Sequence, residues 1–207
     1  RGLSVVCISV NLSRLHIRNP ESADVFHQIA AEYGIPPELL EFELTETILL
    51  EEFAGAKHLI DQLRAYGHHV SIDDFGSGYA GINVWQELNF DCLKLDRKFL
   101  SDDELLKKRN QALVPNIINI AHRLHVQVLC EGAETEEQCR YLLRLGCTVV
   151  QGFYFSKPLP PEELCQVCER QGGKYPLPAL LSSDKSEHQS EQTKEAADEG
   201  GAQSKIK

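Results

Sequence analysis

Residues 70–79, V-S-I-D-D-F-G-S-G-Y, combine side chains that could carry out chemistry. Asp73 and Asp74 are adjacent carboxylates that follow an apolar, β-branched run typical of a short buried strand. Gly76 and Gly78 come next, and glycine allows a sharp turn and a close approach of the backbone to a ligand. Adjacent carboxylates repel each other unless a cation lies between them, so the stretch predicts a divalent metal site. The alternative is an Asp-rich turn that caps a helix.

Polar side chains recur at the ends of the other predicted strands. These strands cover residues 4–10, 39–44, 92–95, 126–130 and 148–150, and the polar residues at or near their ends are Asn11, Glu43, Lys94, Glu131 and Gln151. Oxygen ligands of this kind suit Mg²⁺ or Mn²⁺. Zinc is not indicated, because none of these positions is a His or a Cys. Two such ions can clamp the attacking water and the leaving oxygen of a phosphodiester, and Lys94 would add positive charge beside the phosphate.

Each of these residues also has a simpler interpretation. Asn11 could cap a helix, Lys94 could pair with Asp96, Glu131 could lie in a solvated turn, and Gln151 could be a surface amide. What favours a shared site is that all of them fall at the same end of successive strands. The carboxyl ends of parallel strands meet at one edge of a sheet or barrel.

Helical patterns alternate with these strands. We predict helices at about residues 20–33, 50–66, 79–88, 103–124, 135–145 and 161–170, and expect Pro115 to kink or divide the fourth. Strands that alternate with helices indicate parallel βαβ units. A doubly wound sheet gathers its chemistry at one switch point, whereas a barrel gathers it from many strand ends. We therefore predict an α/β, TIM-like (β/α) barrel with six of its eight strands present.

Composition limits the class of partner. The 207 residues carry a formal net charge of −10, which argues against DNA or RNA as a partner because phosphate contacts need clustered Lys and Arg. Seven irregularly spaced cysteines do not indicate a disulfide framework, and the single C-x-x-C at Cys165 and Cys168 is weak evidence for zinc. The sequence has neither a secretory signal nor a membrane-length apolar run, so we expect a cytoplasmic domain, although the full-length protein could be membrane-anchored through missing N-terminal regions. Residues 173–207 are predicted to form a low-complexity, disordered tail after a domain at 1–172.

Six motifs together resemble the EAL family of bacterial phosphodiesterases, which linearise cyclic di-GMP to pGpG. They are N-L-S at 11–13, E-L-T-E at 43–46, D-D-F-G-S-G-Y at 73–79, K-L-D at 94–96, E-G-A-E-T at 131–135 and Q-G-F-Y-F-S-K-P at 151–158. The resemblance covers about residues 3–170 and keeps the family's motif order. It implies two Mg²⁺ or Mn²⁺ ions, cyclic di-GMP as substrate, and a homodimer.

The resemblance also implies roles for individual residues. The expected metal ligands are Asn11, Glu43, Asp73, Asp74 and Glu131, with Asp73 as the bridge between the two ions. Glu131 would alternatively act as the base toward water, and Lys94 and Gln151 would orient water and phosphate. Glu134 would help to hold the substrate. Glu46 would steady the active-site loop through which the family couples dimerisation to metal binding, which consists of Phe75, Gly76, Ser77 and Gly78.

The chain also departs from the family pattern. The Glu-Ala-Leu tripeptide, whose glutamate is a metal ligand, is absent, and so is the arginine that follows it. We therefore expect the chain to be the carboxy-terminal three-quarters of an EAL domain, fused upstream to the remainder and to a sensor or GGDEF module, and inactive alone. The alternative is a non-catalytic receptor for cyclic di-GMP or a protein partner. A sugar-phosphate barrel enzyme is disfavoured because no Gly-rich phosphate site lies near the last two strands.

Overall fold

A computed structural model describes residues 6–76, 82–101 and 103–170 of the chain. The predicted tail and the loop residues Ser77, Gly78 and Tyr79 lie outside these ranges. Residues 4–159 form one compact unit, and residues 160–170 belong to a second. The sheet and all the candidate site residues belong to the first unit.

Six strands form one sheet in the order in which they occur along the chain. They are β1 (Ile8–Asn11), β2 (Leu40–Thr45), β3 (His69–Phe75), β4 (Cys92–Leu95), β5 (Gln127–Cys130) and β6 (Val149–Val150). All five neighbouring pairs are parallel. A doubly wound sheet reverses its strand order at a switch point, whereas this order runs from β1 to β6 without reversal, as in a (β/α) barrel.

The helices connect successive strands. In the first unit they are α1 (Arg14–Arg18), α2 (Ser22–Glu32), α3 (Glu46–Glu51), α4 (Phe53–Ala65), α5 (Ile82–Glu87), α6 (Glu104–Arg123) and α7 (Glu136–Arg144). The second unit contributes α8 (Pro161–Arg170). Short 3₁₀ turns lie at Pro37–Leu39 and Arg97–Leu100. Within the described ranges, no helix combines the length and the apolar character needed to cross a lipid bilayer.

Three details of the helices differ from the sequence prediction. Helix α1 was not predicted, and the single helix expected at 50–66 is two helices that meet at Glu52. Pro115 was expected to kink or divide the fourth helix, and the structure excludes the division, because α6 is one continuous helix that contains this proline. Val114 and Ile118 on either side of the proline are each 1% exposed in the core. Tertiary packing of this apolar face holds the helix together across the missing backbone donor.

The core lies between the sheet and the helices. Val70 and Ile72 of β3 are fully buried in one apolar cluster with Leu59 and Leu63 of α4. Because side chains alternate between the two faces of a strand, the residues between and after these apolar positions, including Asp73, face the opposite side of the sheet. The same alternation places the polar residues of β2 and β4 on that side. The packing of the helices thus decides which face of the sheet can carry a polar site.

His68, just before β3, is a buried histidine with one unsatisfied nitrogen. Its Nδ1 lies 3.1 Å from the carbonyl oxygen of Pro37, which can only accept, so Nδ1 carries the proton. Its Nε2 is buried without a hydrogen-bond partner among the described residues. Burial lowers the pKa of His68, the bond to Pro37 opposes this, and the nearby His27 and His69 lower the pKa further. The folded protein therefore holds this ring neutral.

We expect His68 to make the domain less stable in mild acid. Below about pH 6.5 the unfolded chain binds a proton that the folded chain does not bind, so the free energy of unfolding falls as the pH drops below this value. His68→Phe should flatten this dependence, as measured by urea unfolding at several pH values. The exposed His58 provides the control, since His58→Gln should leave the slope unchanged. An equally steep slope in His68→Phe would contradict the assignment.

Candidate active site

Lys94 is the centre of the polar face of the sheet. Its Nζ lies 2.7 Å from Glu43 Oε1, 2.8 Å from Glu131 Oε1 and 3.3 Å from Asp73 Oδ1. These three acids come from β2, from the residue after β5, and from β3, so one lysine joins four adjacent strands. Lys94 and Glu43 are each only 5% exposed. Asp96, the simpler partner considered for Lys94, instead accepts a hydrogen bond from Lys98 N and caps the turn after β4.

Negative charge exceeds positive charge at this centre. Lys94 faces Glu43, Asp73 and Glu131, and Asp74 adds a fourth carboxylate beside Asp73. Burial raises the pKa of Asp74, and the charges of Asp73 and Asp96 raise it further. Burial also raises the pKa of Glu131, although its hydrogen bond with Lys94 opposes the shift. Burial alone would lower the pKa of Lys94, but its bonds to Glu131 and Glu43 raise that pKa above the ordinary value.

The backbone turns at the second aspartate. Strand β3 continues through Asp73 and Asp74 to Phe75, and its pairing with β4 is irregular between Ile72 and Phe75. Asp74 has φ of 54°, a left-handed conformation that is uncommon for any residue other than glycine, and Gly76 has φ of 92°. Such backbone strain concentrates at functional sites because the surrounding structure must hold it in place. The turn points the two neighbouring carboxylates toward a common region.

The oxygen ligands at this turn fit a divalent cation. One carboxylate oxygen each from Asp73, Asp74 and Glu131 lies within 4.8 Å of the other two. Asp73 Oδ1 is buried and makes no hydrogen bond among the described residues, although Lys94 Nζ is 3.3 Å away. A buried carboxylate oxygen without a donor is costly unless a cation compensates it. Hard oxygen donors and surplus negative charge are the environment that Mg²⁺ and Mn²⁺ prefer.

Asn11 and Gln151 lie at the ends of the two outermost strands. Asn11 is paired in register with Glu43, and its side chain is exposed. It does not cap α1, whose N-cap residue is Ser13. Gln151 N donates to Cys130 O at 2.9 Å, and Gln151 O accepts from Ala133 N at 3.1 Å, so its backbone is tied to both sides of Glu131. Its side chain is also exposed.

The predicted active-site loop is anchored at its start. Glu46 is 2% exposed, and its Oε2 accepts a hydrogen bond of 3.0 Å from the backbone N–H of Gly76. Phe75 packs edge-on against Trp85 of α5, with ring centroids 5.7 Å apart. Ser77 and Gly78 lie outside the described residues. Glu134 has an exposed side chain, and its backbone N–H donates to Gln138 Oε1.

The 3₁₀ turn after β4 was not anticipated from the sequence. A Cβ at Gly76 would overlap the ring of Phe99, and a Cβ at Gly132 would overlap the side chain of Arg97. Both bulky residues belong to the turn that directly follows the K-L-D motif. The turn therefore packs against the loops that follow β3 and β5. The sequence did offer one signal for a role of this turn at the site, namely that it directly follows the end of a predicted strand.

Gly152 permits a close approach between the loops that follow β5 and β6. A Cβ at this position would overlap the backbone nitrogen, carbon and oxygen of Ala133. Tyr154 N also donates to Ala133 O at 3.0 Å. Because backbone atoms cannot rotate away as side chains do, only glycine fits here.

We expect Gly152→Ala to separate these loops, to cost about 1–3 kcal/mol of unfolding free energy through overpacking, and to displace Gln151 from Glu131. Thermal unfolding would measure the loss of stability. In the control Gly55→Ala, the Cβ would meet Cγ2 of the buried Ile17 at 2.9 Å, a smaller overlap than the contacts with the Ala133 backbone at Gly152. A Gly152→Ala variant as stable as Gly55→Ala would contradict the packing argument.

Comparison with known proteins identifies the family. Residues 2–158 match the family described as EAL domain. The cyclic di-GMP phosphodiesterase NbdA of Pseudomonas aeruginosa is 35% identical over 158 residues, which are 76% of this chain and 19% of that protein. The chain therefore spans about a fifth of the length of this relative.

Solved structures agree with this assignment. The PaMucR phosphodiesterase in its c-di-GMP complex superposes with a TM-score of 0.70 at 34% identity, covering 76% of this chain and 64% of that one. The EAL domain of Mycobacterium smegmatis DcpA gives a TM-score of 0.74 at 29% identity, covering 82% and 75%. The six parallel strands and their helices therefore form an incomplete TIM-like barrel, as predicted from the strand pattern.

Proposed function

Because the chain belongs to the EAL domain family, we propose that it carries most of the active site of a phosphodiesterase that hydrolyses cyclic di-GMP to linear pGpG with two divalent cations. The observation that supports this best is the contact of Lys94 with acids from three other strand ends at 2.7–3.3 Å. Such a cluster of acids around a single buried lysine has no value as a stabilising device, because the negative charges outnumber the positive one. It has value where cations and a phosphate must be held.

We propose that the metal ligands are Asn11, Glu43, Asp73, Asp74 and Glu131. When bound, Mg²⁺ or Mn²⁺ would lower the pKa of a water and neutralise charge on the phosphate. In the alternative role, in which Glu131 acts on that water instead of binding an ion, its raised pKa suits it to accept the proton. Lys94 holds Glu131 in place and keeps its own positive charge, so it can stabilise negative charge on the phosphate, with Gln151 orienting the substrate. Glu134 is proposed to contact the substrate, and Glu46 to steady the loop through Gly76.

We propose that the remainder of the barrel covers β1. This strand is at one edge of the sheet among the described residues, and Val6, Ile8 and Val10 are 58%, 59% and 41% exposed on and beside it. Exposed apolar side chains on an open strand edge are a hazard unless another segment covers them. In the complete protein, an upstream part of the same EAL domain would cover this edge. We propose that this part is linked to a sensor or GGDEF module and that the domain ends near residue 172.

We further propose that the domain forms a homodimer in the cytoplasm. Helix α6 exposes Leu106, Leu113 and Ile120 at 44%, 51% and 46%, and their seven-residue spacing places them along one side of the helix. An apolar stripe of this kind suits a second helix with the same pattern. Light scattering of the full natural chain would reveal a dimer, and Leu113→Glu should make it monomeric. A dimer unaffected by this change would contradict the choice of helix.

The function is tested by incubating the full natural chain and the isolated 207-residue chain with cyclic di-GMP and Mn²⁺, followed by chromatography of the nucleotides. We expect the full chain to release pGpG and the isolated chain to be inactive, because an open barrel exposes two strand edges and lacks one ligand. Binding of cyclic di-GMP by the full chain, measured by calorimetry, without any product would instead support the receptor function. Normal turnover by the isolated chain would refute the need for an upstream segment.

A further inference from the structure

Glu41 connects three strands below the acidic cluster. Its Oε1 accepts a hydrogen bond of 2.9 Å from Ser9 Oγ of β1 and one of 3.0 Å from Ser71 Oγ of β3. Glu41 itself lies on β2, between these two strands. One carboxylate oxygen therefore ties β1, β2 and β3 together through side chains, in addition to their backbone ladder.

The three members of this bridge have the same position relative to the proposed ligands. Each lies two residues before one of them on its own strand: Ser9 before Asn11, Glu41 before Glu43, and Ser71 before Asp73. Side chains two residues apart in a strand point to the same face and stand next to each other along it. The Glu41 bridge is therefore one layer of side chains directly beneath the layer of proposed ligands.

We propose that Glu41 is a positioning residue for the metal site, an inference that rests on the proposed function. The backbone ladder sets which residues are paired, but small rotations and shifts of the strands remain possible within it. Two charge-assisted hydrogen bonds to one oxygen restrict those movements on the three strands that carry Asn11, Glu43 and Asp73. Removing a partner that hydrogen-bonds a metal ligand directly typically weakens metal affinity 10- to 100-fold, and because Glu41 bonds to Ser9 and Ser71 rather than to a proposed ligand, we expect the lower end of that range.

A positioning role and a purely electrostatic role of Glu41 require different properties of the side chain at position 41. Positioning needs an acceptor oxygen of the right length, which glutamine also provides. A long-range attraction for cations needs the negative charge, which glutamine lacks. Glu41→Ala removes both features, and Glu41→Gln removes only the charge. The pair of variants therefore separates the two explanations.

The test is the affinity of the full natural chain for Mn²⁺, measured by electron paramagnetic resonance of the free ion in the absence of nucleotide. We expect Glu41→Ala and Ser71→Ala to weaken binding about 10-fold, and Glu41→Gln to stay within about threefold of the unsubstituted protein. The exposed Glu137 on α7 is the matched control, and Glu137→Ala should leave the affinity unchanged.

Three results would overturn the inference. One is an unchanged Mn²⁺ affinity in Glu41→Ala together with a lower melting temperature, which would make the bridge structural only. Another is equal weakening in Glu41→Gln and Glu41→Ala, which would assign the effect to charge. If Glu41→Ala does not fold, Ser71→Ala serves as the test, since it removes a single hydrogen bond. The third result that would overturn the inference is an unchanged Mn²⁺ affinity in Ser71→Ala. Absence of Mn²⁺ binding in the unsubstituted protein would refute the proposed function itself, and the inference with it.

Discussion

Asp73→Asn is expected to lower hydrolysis of cyclic di-GMP by the full natural chain about 10³-fold, while the domain stays folded. Asn has the size and shape of Asp, so the backbone around β3 has no reason to move. What disappears is the negative charge of a carboxylate whose buried Oδ1 has no hydrogen-bond donor among the described residues. If this oxygen binds cations, its replacement by an amide removes the ligand that both ions are proposed to share.

Steady-state kinetics at saturating Mn²⁺, with circular dichroism to verify folding, would measure this effect. The matched control is Asp61→Asn, because Asp61 lies on the exposed side of α4 and its one ion pair within the described part of the chain is with Lys57 at 3.6 Å. That variant should retain normal turnover. Near-normal turnover of Asp73→Asn would show that the two-metal assignment is wrong, whatever the other acids do.

Lys94→Met is expected to be the most destabilising single change in the site. Methionine fills a similar volume but leaves Glu43, Asp73 and Glu131 without their shared cation in a largely buried place. Breaking a buried ion pair by removing one partner typically costs about 3–5 kcal/mol. The loss should be greatest near neutral pH without metal ions. As the pH falls, Glu131 binds a proton, because burial raises its pKa and the opposing hydrogen bond from Lys94 is gone, so the difference from the unsubstituted protein should shrink.

Mn²⁺ gives this prediction a second readout. If divalent cations occupy the acidic cluster, they should stabilise Lys94→Met more than the unsubstituted protein, because they replace the missing positive charge. Thermal unfolding with and without Mn²⁺ would measure the difference. Lys57→Met removes a half-buried lysine outside the acidic cluster, whose Nζ lies 3.6 Å from Asp61 and donates to Glu87 O at 2.7 Å, and should cost less than about 1 kcal/mol. Equal stability of the two variants without metal would contradict the central place of Lys94.

Both predictions depend on the same unusual balance of charge. A protein that needed only stability at these strand ends would bury apolar side chains there, as it does on the opposite face of the same strands with Ile72 and Leu93. Instead, the chain holds four carboxylates around one lysine and places Asp74 in a strained backbone conformation. We interpret this arrangement as stability given up for the binding of cations and phosphate.

Much of the fold could be predicted from local patterns in the sequence. All six predicted strands are present, because apolar runs bounded by turn residues report on burial without any knowledge of distant contacts. Their sequential parallel order followed from the alternation with helices. The ends of helices were less predictable. Glu46 already begins α3, and Pro115 lies within an unbroken α6, because packing of Leu49 and Ile118 against the core outweighs local preference.

The sequence by itself determined which residues end the strands and on which face of each strand they lie, since a period of two residues is a local property of the chain. Only the tertiary structure decided which of these residues meet. That Lys94 contacts Glu43 rather than Asp96, and that Glu41 joins Ser9 to Ser71, depend on the register between strands far apart in the sequence. Register is set by the packing of the whole sheet against its helices, and no local pattern records it.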